Sequence, residues 1–309
     1  MHFGHYTPRL ALALALTSAL SLGFTTRSTA QSVSTFASSI TRARGLAVDA
    51  IGQLYVTSRY PAGLVLRCTP PSNVMTTFAS GIVDPIEMVF DDSGNLFVTD
   101  YDNAGTAGRI IKVTPGGVKS VFATIPNPGA LTRDAAGNLY VGEYFNQKID
   151  KITPAGVVSA YVPSIGAAGA RLTMLYMDTD GTLYAGLLNG VIYKVGPGGS
   201  PVTVFNTSMA SVLGFVRGLD GNWYASSYDN EEIFRITPAG VGTLYAGAHA
   251  SSGHIDGALL TSRFYYPSGM LSYGGILYIT EYFNNDIRAI DYAIPTRTSS
   301  WGRLKTRYR

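Results

Sequence analysis

A carboxylate or serine followed by a tyrosine recurs at the ends of apolar segments of this chain. Four copies share the order acidic residue or serine, tyrosine, variable residue, asparagine: Asp100-Tyr101-Asp102-Asn103, Glu143-Tyr144-Phe145-Asn146, Ser227-Tyr228-Asp229-Asn230 and Glu281-Tyr282-Phe283-Asn284, with variants Ser58-Arg59-Tyr60 and Leu187-Leu188-Asn189. Tyrosine gives a partner a rigid contact surface, and carboxylates favour hydroxyl-rich or cationic groups. The pattern predicts a binding surface formed by Asp100, Tyr101, Glu143, Tyr144, Tyr228, Glu281 and Tyr282.

The acidic residue and asparagine have a second interpretation. In a tight turn, their side chains commonly hydrogen-bond to nearby backbone and brace the turn. The sequence leaves both roles open, and it does not say whether the tyrosine rings point towards solvent or towards the interior.

Two histidines, His249 and His254, stand five residues apart in a glycine-rich stretch. Histidine is a common zinc ligand, but a zinc site takes three or four protein ligands held in place. The neighbouring sequence offers no third ligand and no strand. We therefore expect solvated loop histidines, no metal site and no cofactor.

The elements that position these residues are copies of one short motif, Asp-x-x-Gly-x-Leu-Tyr-Val. It is clearest at residues 134–141, and related copies begin at residues 49, 91, 178, 218 and 272. The motif predicts a turn followed by a strand. Its glycines lie at 52, 94, 137, 181, 221 and 275, so the repeat is about the length of one four-stranded propeller blade.

The sixth repeat lacks the outer strand that the others carry after a Thr-Pro or Gly-Pro turn. A matching segment stands at the other end, where residues 32–40 read like residues 73–82. The sequence predicts an all-β, six-bladed β-propeller of four-stranded blades over residues 31–294, closed when the N-terminal strand completes the last blade. Closure removes exposed sheet edges.

The insertion before the sixth repeat carries a family resemblance. Asp256-Gly257, Ser262-Arg263-Phe264 and Pro267-Ser268-Gly269-Met270 follow the order of long NHL repeats. The chain resembles the NHL-repeat six-bladed propellers over about residues 32–292. These are related in fold to the gluconolactonase/senescence-marker propellers and the virginiamycin B lyases. One such fold hosts many functions.

The resemblance also places the residues that face the central tunnel. In the gluconolactonase family, carboxylates and amides that hold a divalent metal follow the start of each inner strand. The matching positions here are Arg44, Ile86, Gly129, Thr173, Leu213 and Ser268, with Glu87 one residue away. None of the six is a carboxylate or an amide, and a single glutamate binds a hard cation poorly. The tunnel histidine of the lyases and the residues of quinone-dependent dehydrogenases have no evident counterpart.

Charge and the chain ends suggest where the protein acts. All 20 acidic residues and 16 of the 23 lysines and arginines lie in residues 31–294, which gives that part a net charge of −4 and argues against nucleic-acid binding. Residues 1–30 resemble a signal peptide, with a short apolar run and small residues before Gln31. The basic tail, residues 295–309, could touch an anionic membrane or envelope surface, or remain solvated.

These features predict an exported, periplasmic or secreted protein with no catalytic residues. It would bind a protein or glycan partner through one rim face, and we expect it to be a monomer. The alternative is a lactonase-like hydrolase or lyase with an unrecognised tunnel site. Cys68 falls at an apolar strand position, so we expect it to be buried and unreactive.

Overall fold

The computed structural model describes residues 31–59, 61–69, 73–101 and 108–292. The predicted signal peptide and basic tail lie outside this part, as do Tyr60, Asp102 and Asn103 of the rim turns. Apart from a single-turn 3-10 helix at Pro197–Gly199, the regular secondary structure of the described chain is all β-strand. None of its helices is long and apolar enough to cross a membrane.

The strands form six antiparallel sheets, or blades. An N-terminal strand, β1 (Ser32–Ala37), precedes the first blade. From the innermost strand outward, the first three blades are β2 (Ala43–Val48), β3 (Leu54–Ser58), β4 (Leu64–Cys68) and β5 (Met75–Ser80); β6 (Pro85–Phe90), β7 (Leu96–Asp100), β8 (Arg109–Val113) and β9 (Lys119–Thr124); β10 (Pro128–Arg133), β11 (Leu139–Glu143), β12 (Lys148–Ile152) and β13 (Val158–Val162).

The last three blades follow the same order: β14 (Leu172–Met177), β15 (Leu183–Leu187), β16 (Ile192–Val195) and β17 (Val202–Asn206); β18 (Gly214–Arg217), β19 (Trp223–Ser227), β20 (Glu232–Ile236) and β21 (Gly242–Gly247); the short β22 (Gly257–Ala258), then β23 (Pro267–Tyr273), β24 (Ile276–Glu281) and β25 (Asp286–Asp291). Each innermost strand contacts the innermost strands of both neighbouring blades, so the blades close into a ring. The predicted fold is confirmed.

The last blade is completed by the start of the described chain. β1 pairs antiparallel with β25, with Val33 opposite Ile290 and Thr35 opposite Arg288. Its other edge pairs with β22, so the insertion adds a fifth, short strand. Val33 and Ile40 are buried, and Phe36 packs edge-on against Tyr278 with ring centroids 5.0 Å apart. The predicted closure is therefore observed.

The repeated Asp-x-x-Gly turn is held by its aspartate. Asp134 Oδ1 accepts hydrogen bonds from the backbone N–H groups of Ala136 at 3.0 Å and Asn138 at 2.8 Å. Oδ2 accepts one from the hydroxyl of Tyr140 at 3.1 Å. Burial disfavours the charged carboxylate, but these hydrogen bonds outweigh it and lower the pKa of Asp134. Gly137 takes φ of +82°, which a residue with a side chain adopts at a cost.

Apolar side chains fill the gaps between neighbouring blades. Between the fourth and fifth blades, Phe215 stacks on Trp223 at 4.7 Å, and Tyr184 packs against both rings. Cys68 lies in the cluster that joins the first and last blades and is fully buried, as predicted. Each blade is thus stabilised mainly by its neighbours, as in other repeat architectures.

The innermost strands bulge where they face the tunnel. In β2, Arg44 and Gly45 together oppose Thr57 of β3, and a similar two-to-one bulge places Ser268 and Gly269 opposite Thr280. At both bulges, the hydroxyl of the opposing threonine accepts the backbone N–H that has no partner in the sheet. Thr280 Oγ1 accepts from Gly269 N–H at 2.8 Å and donates to the Arg44 carbonyl of the first blade at 2.6 Å. Bulges of this kind redirect side chains.

Inner strands approach one another too closely at these bulges to admit a side chain. A Cβ on Gly269 would lie 1.9 Å from the Arg44 carbonyl oxygen, and one on Gly45 would lie 2.3 Å from the Ile86 carbonyl oxygen. These contacts cross from one blade to the next. Glycine is therefore required at these positions for the inner ring to close.

We predict that Gly269→Ala lowers the free energy of unfolding by on the order of 1–3 kcal/mol, because the methyl group forces the first and last blades apart. Urea denaturation followed by circular dichroism measures this change. Gly116→Ala is the control, since Gly116 is exposed and its nearest neighbour to an added Cβ is 3.9 Å away. Equal stability of the two variants would show that the inner ring tolerates the wider spacing.

Candidate ligand-binding site

A cavity of about 410 Å³ opens where the inner strands begin. We call it the axial cavity. Its wall has a lower tier from the bulges and an upper tier from the first residue after each second strand, with additional residues from adjoining loops. The lower tier is Arg44, Ile86, Gly129, Thr173 and Leu213; the upper tier is Arg59, Tyr101, Tyr144, Leu188 and Tyr228; the loop residues are Phe145, Arg171 and Asp229.

Five of the six tunnel positions inferred from the sequence therefore line one cavity. The sixth, Ser268, is buried and hydrogen-bonds to the Ala43 carbonyl and to Thr280 instead. Glu87, the neighbour of Ile86, faces a separate cavity of about 310 Å³ farther along the inner strands.

The rim tyrosines turn inward. Tyr101 and Tyr144 line the axial cavity and contact each other edge-on, with ring centroids 6.0 Å apart. Tyr228 lines it from the fifth blade and packs on Tyr266 at 4.4 Å. Tyr282 is outside the cavity wall and borders it, with its ring 5.8 Å from the guanidinium carbon of Arg59. The phenols thus surround the tunnel mouth.

Arg44 forms the floor of the axial cavity. Its side chain extends from the first blade across the ring. There Nη2 donates to the Thr173 carbonyl of the fourth blade and Nη1 to the Leu213 carbonyl beside the fifth, each at 3.4 Å. Nη1 lies 4.0 Å from Glu87 Oε1. Arg44 is 5% exposed, and this desolvation lowers its pKa from the ordinary arginine value despite attraction to Glu87. The guanidinium stands between the axial cavity and Glu87.

Two further arginines stand on the cavity wall. Arg59 Nε donates to Asp84 Oδ1 at 2.8 Å and Nη2 bonds to Oδ2. Desolvation opposes the charge of Arg59, but Asp84 outweighs it and raises the pKa of Arg59. Arg171 is exposed, and its guanidinium carbon is 5.6 Å from the ring centroids of both Tyr144 and Phe145. Asp229 is the acidic residue among the side chains that line this cavity.

The acidic rim residues do not line this cavity. Asp100, Glu143 and Glu281 are 2%, 2% and 0% exposed. Asp100 accepts from Asp84 N–H and pairs with Arg109, and Glu143 pairs with Lys148 at 3.1 Å. The sequence placed these carboxylates in the predicted binding surface and left a bracing role open. Their burial and cation pairing agree with the bracing role. Three arginines and Asp229 are the charged residues that line the cavity.

Glu281 belongs to a buried charged cluster on the last blade. It accepts from Tyr265 N–H at 2.6 Å and from Arg288 Nη1 at 2.9 Å. Burial and the charge of Asp286 raise its pKa to about 8, although Arg288 opposes the shift. Arg288 is fully buried and also bonds to Asp256 of the insertion. Asp256 accepts in turn from Thr35 N–H of β1 at 2.9 Å, so the cluster ties the insertion, the closing strand and the last blade together.

His254 is 47% exposed, as expected of a loop histidine, but it also contacts the same cluster. Its Nε2 lies 2.9 Å from Asp286 Oδ2 and 3.0 Å from Thr35 Oγ1. Ligand-type atoms of His254, Glu281 and Asp286 all lie within 4.8 Å of one another. Because Arg288 already contacts both Glu281 and Asp256, we assign these residues a structural role. His249 is exposed and lies 3.4 Å from Glu232.

Sequence reasoning missed Arg171, Arg59, Phe145, Leu188 and Asp229 as wall residues. Four of them stand in the rim turns: Arg59 and Leu188 occupy the tyrosine position, and Phe145 and Asp229 follow it. A strict alignment of the six turns could have found these four. Arg171 precedes β14 outside any repeated pattern and has no such signal.

Comparisons with known proteins support the fold. No protein-family model matches the sequence, and no curated protein matches it. Among solved structures, an auxiliary nutrient-binding protein from Bacteroides thetaiotaomicron is 16% identical, with a TM-score of 0.71, covering 84% of this chain and 76% of that one. Virginiamycin B lyase from Staphylococcus aureus is 17% identical, with a TM-score of 0.61, covering 85% and 99%. A protein provisionally named as a gluconolactonase is 14% identical, with a TM-score of 0.64, covering 84% and 92%.

We predict that Glu281→Gln flattens the pH dependence of stability. With its pKa raised to about 8, native Glu281 keeps a proton that the unfolded chain releases above its ordinary pKa. The free energy of unfolding should therefore fall as pH rises from about 5 to about 8, with a Glu281 contribution of at most about 1.4 kcal/mol per pH unit.

Urea titrations at several pH values measure this slope in both proteins. Asp291→Asn, which removes an exposed carboxylate from the neighbouring strand β25, is the control and should keep the wild-type slope. An unchanged slope in Glu281→Gln would contradict the assignment.

Proposed function

We propose that this chain is an exported, non-catalytic β-propeller that binds a ligand in the axial cavity. The ligand is a small molecule, or the end of a glycan or peptide that projects from a larger partner. The observation that carries this proposal is the convergence of Tyr101, Tyr144, Tyr228 and Arg44 on one concave site. A volume of about 410 Å³ lies within the range of pockets that enclose small ligands.

The chemistry of the wall favours binding over catalysis. Its polar groups are arginines, phenols, the hydroxyl of Thr173 and the exposed Asp229. Thr173 Oγ1 donates to the Gly186 carbonyl at 3.0 Å and bonds to the Val212 carbonyl, so this hydroxyl is engaged in the scaffold. A lactonase-like hydrolase or lyase, the alternative, would need a nucleophile or water held against a general base. The described wall offers arginines and aromatic surfaces instead.

Two further observations agree with this function. A Bacteroides protein that contains a similar fold is named for nutrient binding, so a fold of this kind occurs in a protein named for binding. The first thirty residues have the composition of a signal peptide, which supports export and leaves residues 31–294 as the functional body. The basic tail could then hold the protein at an anionic envelope surface.

We predict that the tyrosines carry part of the binding energy. Wild-type protein, Tyr144→Ala and Tyr228→Ala would be titrated calorimetrically with a panel of defined monosaccharides, uronic acids and dipeptides. A ligand that binds wild-type protein should bind each variant roughly 5- to 30-fold more weakly, since an aromatic contact contributes about 1–2 kcal/mol.

Tyr273→Ala is the matched control, because Tyr273 is exposed at the other end of β23 and should leave binding unchanged. Melting temperatures of all the variants separate lost binding from lost folding. If the whole panel fails to bind, or if folded Tyr144→Ala and Tyr228→Ala bind as tightly as wild-type protein, the proposed site is wrong.

A further inference from the structure

We propose that the axial cavity selects ligands with a carboxylate group, which binds Arg44, and that Glu87 competes for the same guanidinium from the other side. Binding of the acid is then coupled to protonation of Glu87. This inference rests on the proposed function, because it requires that the axial cavity be a ligand site. It adds the chemical class of the ligand and a dependence on pH.

Arg44 carries the first step of the argument. A buried guanidinium costs free energy unless an opposite charge and well-formed hydrogen bonds balance it. Among the described residues, its hydrogen bonds go to two carbonyl oxygens at 3.4 Å, and its ion pair with Glu87 is long at 4.0 Å. Arginine presents five N–H donors in a planar fork that matches a carboxylate. An acid entering from the rim would meet this fork at the cavity floor.

The cavity wall reinforces the preference for an anion. Arg59 presents further N–H donors, and Asp84 holds its guanidinium in place and balances its charge. Arg171 is 5.6 Å from the ring centroids of Tyr144 and Phe145, and no ion pair restrains it among the described residues. Its side chain is exposed beside the entrance and can reach a bound acid. The phenols of Tyr144 and Tyr228 supply hydrogen-bond donors and a flat surface for the rest of the ligand.

Glu87 lies on the far side of Arg44, in the second cavity. Burial raises the pKa of Glu87 to about 7, although Arg44 and Arg59 oppose the shift. The other ionisable groups that act on this pair are Tyr144 and Tyr228. Tyr228 has its pKa raised to about 12, mainly by burial, so it stays neutral near pH 7. The exposed Asp229 stands at the cavity entrance and Asp84 is paired with Arg59. Glu87 is thus the group of this set poised to titrate in the neutral range.

The direction of the coupling follows from charge. A ligand carboxylate on Arg44 adds a negative charge near Glu87 and draws the guanidinium away from it. Both effects favour neutral Glu87 and raise its pKa further, so the protein takes up a proton when the acid binds. Affinity should therefore be highest below about pH 7 and fall as pH rises, by at most about tenfold per pH unit.

The test uses matched acid and neutral probes: glucuronate against glucose, galacturonate against galactose, and benzoate against benzyl alcohol. Each is titrated calorimetrically into the full chain at about pH 6, 7 and 8, in buffers with different ionisation enthalpies, which reveals proton uptake. We expect at least one acid to bind roughly tenfold or more tightly than its neutral partner, with uptake of a fraction of a proton at pH 7.

Three variants separate the parts of the proposal. Glu87→Gln should bind the acid at least as tightly as wild-type protein, with no pH dependence and no proton uptake. Arg44→Met should weaken binding by roughly tenfold or more, since a hydrogen bond to a charged group contributes about 1.5–3 kcal/mol. Arg171→Gln, a surface change that should not affect folding, should weaken the acid selectively and keep the proton uptake.

Defined outcomes would overturn the inference. If the neutral partners bind as tightly as the acids, the anion preference is wrong although the ligand site stands. Inorganic phosphate binding more tightly than every acid would contradict the carboxylate assignment. If Glu87→Gln keeps the wild-type pH dependence and proton uptake, the coupling to Glu87 is wrong. If none of the acids binds while a neutral sugar or dipeptide does, the inference fails and the proposed function survives.

Discussion

Thr280, on the second strand of the last blade, donates a hydrogen bond to the carbonyl oxygen of Arg44 on the inner strand of the first blade. The same hydroxyl accepts the N–H of Gly269, whose missing side chain lets the two blades approach. Outside this contact, β1 completes the last sheet. Closure of the ring hides the sheet edges that the first and last blades would otherwise expose. The position of Arg44 at the cavity floor is a direct consequence of this closure.

Burial then decides which charges a ligand can meet. The rim carboxylates lie behind their turns, paired with Arg109, Lys148 and Arg288. The axial cavity keeps Arg44, Arg59 and Arg171 on its wall. A chain whose propeller body has a net charge of −4 thus presents a cationic pocket. Net charge describes behaviour in solution, whereas the pairing of individual side chains sets the chemistry of a site.

Much of the fold could be read from the sequence because each blade repeats the same local rules. Each turn is held by contacts within a few residues: an aspartate such as Asp134, a glycine at positive φ and the strand that follows. The spacing of these residues along the sequence therefore predicted the blades. The matching segment at residues 32–40 predicted closure because an unpaired last blade would be costly. The equivalent turns also predicted that Tyr101, Tyr144 and Tyr228 would gather on one face.

The charged residues were harder to predict because their roles depend on contacts distant in sequence. The carboxylate of Glu281 is buried by Arg288 and by an insertion that carries His254 and Asp256, and no local pattern links these segments. The bulge at Arg44 sends its side chain across the tunnel to carbonyls in the fourth and fifth blades. Arg171 belongs to no repeat. Residue type therefore placed the acidic residues in the binding surface, whereas their contacts bury them behind the turns.

The central claim is that the axial cavity holds a ligand whose acid group lies on Arg44. Crystals grown with 4-bromobenzoate test it directly, because anomalous scattering locates the bromine without bias. The account predicts a bromine peak among Tyr101, Tyr144 and Tyr228, with the carboxylate against Arg44 and the Arg171 side chain turned towards it. A compound that binds in solution but places its bromine elsewhere on the propeller, or its carboxylate away from Arg44, would contradict the account.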